Sequence, residues 1–171
     1  LAPPGTDLAV TNINSPVAPV CPGTENVEIT LSNVNTGVVT SAAIDWTVNG
    51  VLQTPVTYSG VLALGSTANV TLGTITLAAG TNYDIEVFLS AVNGSAGDAN
   101  ILNDTTNNAG LQTSLAGNYT INSSLATGGT NFQSFTDFSA ALNANDICGP
   151  IVVDVSNGAY NEQVTFSDLA G

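Results

Sequence analysis

The residues of this chain that are best suited to chemistry lie in one stretch, NGSAGDANILNDTTNN, at residues 93–108. It places carboxylate or amide oxygens at Asp98, Asn100, Asn103 and Asp104. Such oxygens are the ligands that Ca²⁺ takes in proteins, so the stretch predicts a candidate calcium site. The spacing does not match the twelve-residue loop of helix–loop–helix calcium sites. A turn-rich loop between two strands would use the same residues without a metal.

Two carboxylates near the end of the sequence, Asp154 and Glu162, are a second candidate for chemistry. They fall on neighbouring predicted strands, and glycoside hydrolysis uses two carboxyl groups about 5 to 10 Å apart. Solvated surface carboxylates are far commoner than such pairs, so we expect no catalytic residue here. Tyr160 and Phe166 are better interpreted as packing aromatics than as a sugar-binding platform.

The sequence contains no Lys, Arg or His against 13 Asp and Glu, which gives a formal net charge of −13. Nucleic-acid binding needs cations that displace counterions from phosphate, and the usual Ser and Cys hydrolases need a His base. We therefore predict no nucleic-acid partner, no catalytic residue and no cofactor apart from the candidate Ca²⁺. A chain without Lys or Arg also offers trypsin-like proteases no cleavage site, which suits a protein outside the cell.

The two cysteines, Cys21 and Cys148, are far apart in sequence, and neither belongs to a CxxC pair. A disulfide between them is one interpretation, and two unpaired thiols are the other. No apolar run approaches the ~20 residues of a membrane span, so we predict none. The sequence has neither a signal peptide nor a Met, which is typical of a processed or excised piece of a longer protein.

Short strands separated by turns are predicted over residues 6–115, about seven in all and the last of them near 109–115, with no segment of helical period. The clearest alternation is that of Tyr83, Ile85, Val87 and Leu89. An Asn-Gly turn follows the strand that carries Trp46, and a change of phase at Gly73 predicts a bulge. The pattern predicts an immunoglobulin-like β-sandwich with the tryptophan in its core, although the cysteines do not flank it in the antibody manner.

After this region the period changes, and SFTDFSAALNAN predicts the one helix of the chain. Ser134 is its expected N-cap, Asp137 favours the first turn, and Asn145 is its expected stop. ICGPIVVDV then predicts a buried strand, and a turn at 156–158 leads to a second strand that ends at Phe166. We therefore divide the chain into a sandwich at 1–116 and a second part at 117–171.

Several blocks in the first part resemble CARDB-like adhesion domains of large Bacteroidota surface proteins. They are DLAVTNINSPVAPVCPGTENVEITLSNVNTG, IDWTVNGVLQTP, GSTANVTLG and LNDTTNN, and together they span residues 6–115. In that lineage, Asp104-Thr105-Thr106 resembles an O-glycosylation motif, which implies a glycan on Thr105. An unmodified exposed threonine is the alternative.

The second part resembles the opening of right-handed parallel β-helix domains, over GNYTINSS and NFQSFTDFSAALNANDICGPIVVDVSNGAYNEQVTF. In such domains a short helix caps the solenoid and a G-x-Y-x-E motif closes an early coil. Gly158, Tyr160 and Glu162 match that motif. The resemblance implies a mainly β chain, in which the sandwich is followed by a capping helix and the first coil of a parallel β-helix, truncated at residue 171.

Together the two resemblances imply an extracellular or cell-surface protein, exported by type IX secretion, that does adhesive or filament-forming work. The expected partners are copies of the chain or other surface modules, with glycans as a further candidate. One alternative is the accessory part of a β-helix carbohydrate-active enzyme whose catalytic coils follow residue 171. Another is a calcium-dependent glycan-binding module.

Overall fold

The computed structural model describes residues 5–166, which form eleven strands and one helix. The strands are β1 (Leu8–Ser15), β2 (Gly23–Asn33), β3 (Val39–Val48), β4 (Val51–Leu52), β5 (Val56–Leu62), β6 (Thr67–Leu77), β7 (Asn82–Val92), β8 (Thr105–Gln112), β9 (Leu115–Ile121), β10 (Asn131–Phe132) and β11 (Ile147–Val155), and the helix is α1 (Phe135–Ala144). The described residues group into two compact units. The sandwich unit holds 5–17, 25–75 and 83–111, and the C-terminal unit holds 18–24, 76–82 and 112–166. The division at residue 116 stays a prediction.

Two sheets make up the sandwich unit, one in the order β1-β2-β6 and the other in the order β4-β3-β7-β8, with β5 also paired to β3. Strands β3 and β7 are antiparallel, and their register sets Ile44 opposite Leu89 and Trp46 opposite Val87. All four side chains are buried, as the alternation predicts. The fold is therefore mainly β and immunoglobulin-like.

Three details of the strand pattern differ from the prediction. Strand β11 was predicted to be buried, but none of its residues is. Strand β5 was not predicted, because Gly60 interrupts its apolar positions and only Leu62 is fully buried. A strand was predicted over 109–115, but β8 ends at Gln112 and β9 begins at Leu115. The break falls at Thr113, whose backbone N–H donates to the Thr81 carbonyl at 3.3 Å and whose hydroxyl donates to the Ala78 carbonyl at 2.8 Å.

Strand β6 changes phase at Gly73, as the sequence predicts. Leu72 is buried on one side of this glycine, and Ile75 and Leu77 are buried on the other. The glycine also lies against the indole of Trp46, because a Cβ built on it would be 3.1 Å from Trp46 Cζ2. Trp46 is held in place by its ring N–H, which donates to the Thr54 carbonyl at 3.0 Å.

We expect Gly73→Ala to lower the free energy of unfolding by about 1–3 kcal/mol, because the added methyl group overpacks the indole. Urea unfolding followed by tryptophan fluorescence measures this, since the chain has one Trp. Gly128→Ala is the matched control, because a Cβ there meets nothing within 4 Å. Equal urea midpoints for the two variants would show that the indole of Trp46 can shift to accommodate the methyl group without a loss of stability.

The C-terminal unit is built on a three-stranded parallel sheet. Strand β9 is central, with β10 on one side and β11 on the other. Parallel strands need a crossover connection, and here the chain passes from β9 through β10 and α1 before it returns in β11. The core between sheet and helix consists of Leu115, Tyr119, Ile121, Phe132, Phe138 and Leu142.

Helix α1 begins and ends where its sequence predicts. The hydroxyl of Ser134 accepts a hydrogen bond from the Asp137 backbone N–H at 3.0 Å, which satisfies one of the free donors of the first turn. At the other end, the Asn145 backbone N–H donates to the Ala141 carbonyl. Phe138 and Leu142, four residues apart, are buried on one face of the helix.

The predicted second strand, ending at Phe166, is wrong: residues 156–166 form no strand. The segment is held by side chains instead of a backbone ladder. The hydroxyl of Tyr160 lies 3.1 Å from the carbonyl oxygens of both Ile121 and Ser156. The first coil of a β-helix therefore remains a prediction, and its last residues, 167–171, lie outside the described ones.

Candidate functional site

A loop of the sandwich unit between β7 and β8 is tied to the beginning of β1 by two carboxylates. Asp98 Oδ2 accepts a hydrogen bond from the Leu8 backbone N–H at 2.5 Å. From the other side, the Asn103 side-chain amide donates to Asp7 Oδ1 at 2.9 Å. The loop therefore joins segments about ninety residues apart, which the sequence spacing alone did not predict.

Asp104 is the buried member of this group, with 6% of its surface exposed. Burial raises the pKa of its carboxyl to about 6, and the nearby charges of Asp98 and Asp7 add to the rise. Its Oδ1 is buried and has no hydrogen-bond partner, and the same is true of Asn103 Oδ1. Buried oxygens without a donor are costly and uncommon in folded proteins, and here two of them lie on adjacent residues.

The structure does not bring all four predicted calcium ligands together. Asn100 is exposed, and its Oδ1 accepts from the Leu102 backbone N–H at 3.3 Å. Asp98 Oδ1 accepts from the Asn100 N–H at 3.0 Å, so both residues form the local turns expected of such a loop. As they stand in residues 5–166, no three His, Cys, Asp or Glu side chains form a metal-binding group.

Thr105, the predicted O-glycan site, is the first residue of β8, and its side chain is exposed. Asp104, which the glycosylation motif also requires, is buried. An enzyme that recognises this aspartate would therefore have to act before the sandwich folds. The glycan on Thr105 stays a prediction, which intact-mass measurement on native material tests.

Cys21 and Cys148 form a disulfide within the C-terminal unit. Their Cα atoms are 5.7 Å apart, which is in the usual range for this bond. Cys21 lies in the connection between β1 and β2, and Cys148 lies on β11. The neighbouring Val20 forms a parallel bridge with Thr113, so hydrogen bonding reinforces the covalent link.

Glu162 caps the N-terminus of α1 from outside the helix. Its carboxylate accepts from the Thr136 hydroxyl at 2.6 Å, from the Thr136 backbone N–H at 2.8 Å and from the Phe135 N–H at 3.3 Å. Tyr160, two residues earlier, packs edge-on against Phe135 with ring centroids 5.2 Å apart. The G-x-Y-x-E segment thus closes onto the helix, and Glu162 has a structural partner in place of the catalytic pairing with Asp154 that the sequence raised.

The hydrogen bonds from Thr136 hold the pKa of Glu162 below its ordinary value of 4.5, against smaller opposing effects of desolvation and of the charge of Asp137. A lowered pKa means that this cap is complete above pH 4.5 and is lost as the pH falls through the lowered value. We expect Glu162→Gln to remove hydrogen-exchange protection at the Phe135 and Thr136 amides at neutral pH. NMR-detected exchange measures this.

Glu86→Gln is the control for the Glu162 variant, because Glu86 is an exposed carboxylate on β7 in the sandwich unit. It should leave the protection of the helix amides as it is in the wild type at every pH. Wild-type protection of Thr136 should decline in acid, and the glutamine variant should show no such decline. If both variants exchange alike, Glu162 does not cap the helix.

With this geometry in view, the class of fold can be stated: the sandwich is immunoglobulin-like, and its fold is similar to that of CARDB domains. It is similar to the CARDB domain of a Pyrococcus furiosus protein, described in complex with di-metal ions, with a TM-score of 0.51 and 18% identity over 66% of this chain and 92% of that one. A solution structure of the same archaeal domain gives a TM-score of 0.50 and 17% identity over 64% of this chain and 95% of that one. At these identities the likeness establishes the fold alone.

A domain of a Methanosarcina acetivorans protein, described as a cell-surface protein, gives a TM-score of 0.46 and 24% identity, and covers 63% of this chain and 91% of that one. No family model matches the chain, and no curated protein matches it. Among residues 5–166, no helix is long and apolar enough to cross a membrane.

Asp7 is the site residue that sequence reasoning missed. It stands at the beginning of the alternating DLAV strand, where an exposed aspartate is ordinary, and only pairing in three dimensions connects it to Asn103. A weak signal was present, because the two segments that contact each other, DLAV and LNDTTNN, both belong to the blocks that resemble CARDB domains.

Proposed function

We propose that this chain is a structural and adhesive module of a larger bacterial cell-surface protein or filament. The observation that carries the proposal is the Cys21–Cys148 disulfide, because such bonds persist in oxidising compartments and are rare in the cytosol. The CARDB-type fold of the sandwich supports a surface role. A sequence without Lys or Arg adds resistance to trypsin-like proteases outside the cell.

Exposed apolar residues at a sheet edge support association with other copies or modules. Strand β4 is an end strand of its sheet, and its residues Val51 and Leu52 are each at least 60% exposed. On β5, Val61 is 75% exposed. Edge strands with exposed apolar side chains are ready templates for pairing with another chain.

Antibody labelling of the source cells tests the location. An antibody raised against this chain should label intact cells, and permeabilisation should add little signal. An antibody against a cytoplasmic protein of the same cells is the control, since it should label only permeabilised cells. If this chain also needs permeabilisation, the surface proposal is wrong.

The proposal assigns no reaction to this segment. Glu162 is occupied by the helix N-terminus, and the sequence supplies no His, Lys or Arg to act as a base or an electrostatic partner. When the purified chain is incubated with a panel of acidic and neutral polysaccharides, it should therefore cleave none of them, whether or not it binds them. Release of reducing or unsaturated ends by the purified chain would favour the carbohydrate-active enzyme instead.

A further inference from the structure

The group at the beginning of β1 contains more negative charge than the chain itself can balance. Asp98 and Asp7 both act on the buried carboxyl of Asp104. In other proteins a buried carboxylate is usually paired with a cationic side chain or a metal ion. This sequence has no Lys, Arg or His. No side chain of this sequence can therefore pair with Asp104 as an opposite charge, whereas a bound cation can.

Two oxygens in the group are free to take such a cation. Asp104 Oδ1 and Asn103 Oδ1 are buried on adjacent residues, and neither accepts a hydrogen bond. Asp104 is more than nine-tenths buried, so water does not readily solvate its carboxyl. Asp7 and Asp98 lie beside the same loop through their hydrogen bonds to Asn103 and Leu8.

We propose that Asp7, Asp98, Asn103 and Asp104 form a Ca²⁺ site that fastens the loop between β7 and β8 to the beginning of β1. Asn103 Oδ1 and Asp104 Oδ1 are the first ligands, and the carboxylates of Asp7 and Asp98 complete the site with water. Asn100 is not a side-chain ligand, because its side chain is exposed and its single oxygen faces the Leu102 backbone N–H. Binding brings the carboxylates closer together than in the structure described here, where they do not form a metal-binding group.

The donor set selects the metal. All four side chains offer hard oxygen ligands, which suit Ca²⁺ and Mg²⁺ and not the softer metals that prefer His or Cys. Ca²⁺ tolerates irregular geometry and six to eight ligands, whereas Mg²⁺ demands a near-ideal octahedron. The oxygens of this group lie on an irregular loop and on the residue before β1 instead of on one regular element, which fits the more tolerant ion.

Calorimetry and thermal unfolding of the full chain test the site. Metal-free protein should bind one Ca²⁺ with a dissociation constant on the order of 10⁻⁴–10⁻³ M, as extracellular calcium modules do. Its Tm should rise with millimolar CaCl₂, rise less with equal MgCl₂, and stay lower in NaCl of the same ionic strength. The NaCl arm separates a bound ion from the screening of an acidic surface.

Asp104→Asn is the decisive variant. It keeps the shape of the side chain and removes the buried charge, so the metal-free Tm should not fall. Ca²⁺ binding should weaken by about tenfold or more, because a charged ligand is lost. Glu86→Gln removes the same charge from β7 and should bind Ca²⁺ like the wild type.

Three results would overturn the proposal. They are no saturable heat with millimolar Ca²⁺, an equal Tm response to NaCl, and an undiminished response in Asp104→Asn. The calcium proposal depends on the sandwich unit and not on the adhesive role. If the antibody labels intact cells but the chain binds no calcium, this proposal is wrong and the proposed surface function is unaffected.

Discussion

Reduction of the Cys21–Cys148 disulfide should lower the free energy of unfolding by about 2–5 kcal/mol. The bond closes a loop with a sequence separation of 127, so its loss returns much conformational freedom to the unfolded chain. In the folded chain, it joins the connection after β1 to β11, which pairs with β9 in the C-terminal unit. The backbone hydrogen bonds of β9 should therefore open most readily after reduction.

Urea unfolding with and without reductant measures the total loss, and hydrogen exchange at Tyr119 and Ile121 measures the local one. The double variant Cys21→Ser, Cys148→Ser is the control, because it should behave like the reduced wild type and ignore the reductant. Intact mass should increase by two hydrogens when the wild type is reduced under denaturing conditions. An unchanged urea midpoint would show that the bond adds no stability, and an unchanged mass would show that it does not form.

The parts of the fold that were predictable are those encoded by local period. The alternation in β7 buries its apolar face because successive side chains of a strand point to opposite sides. Helix α1 was predictable at both ends, since Ser134 and Asn145 act on the backbone within four residues. The irregularity at Gly73 was predictable because one extra residue in a strand shifts the buried positions by one, and glycine tolerates the backbone that this requires.

The parts that were missed depend on partners distant in sequence. The segment after Ser156 has the composition of a strand, but it forms none because Tyr160 and Glu162 bind instead to the β9 end and to the helix N-terminus. Strand β5 was missed because Gly60 interrupts its apolar positions, and its pairing with β3 is visible only in the fold.

The candidate site shows the same limit. The loop at 93–108 was singled out by residue type, and Asn103 and Asp104 do supply its two unsatisfied buried oxygens. In the proposed site, Asp7 is a ligand that the sequence did not suggest, and Asn100 is a suggested ligand that drops out. Which side chains reach the site depends on how the loop turns and on which strand it contacts. Residue type identified the region, but the ligand set needed the fold.

Phe138→Ala should cost about 3–5 kcal/mol in the free energy of unfolding, because it leaves a cavity in a small core. Phe138 is 8% exposed and connects α1 to the sheet. Its ring is 5.2 Å from that of Phe132, edge to face, and 6.5 Å from that of Tyr119. Loss of this ring removes both aromatic contacts and the main anchor of the helix, so helix amides should lose protection before those of the sandwich.

Tyr119→Phe is the matched variant, since it keeps the same three rings in contact. Tyr119 is 1% exposed, and its hydroxyl is buried without a hydrogen-bond partner. Removing that hydroxyl spares the chain the desolvation of an unsatisfied group, so stability should hold or increase by about 1 kcal/mol. Urea unfolding of the two variants side by side separates loss of packing from loss of a polar atom. If Tyr119→Phe is as unstable as Phe138→Ala, the Tyr119 hydroxyl has a hydrogen-bond partner in solution, such as a buried water. A polar contact would then stabilise this core in addition to the packing of its rings.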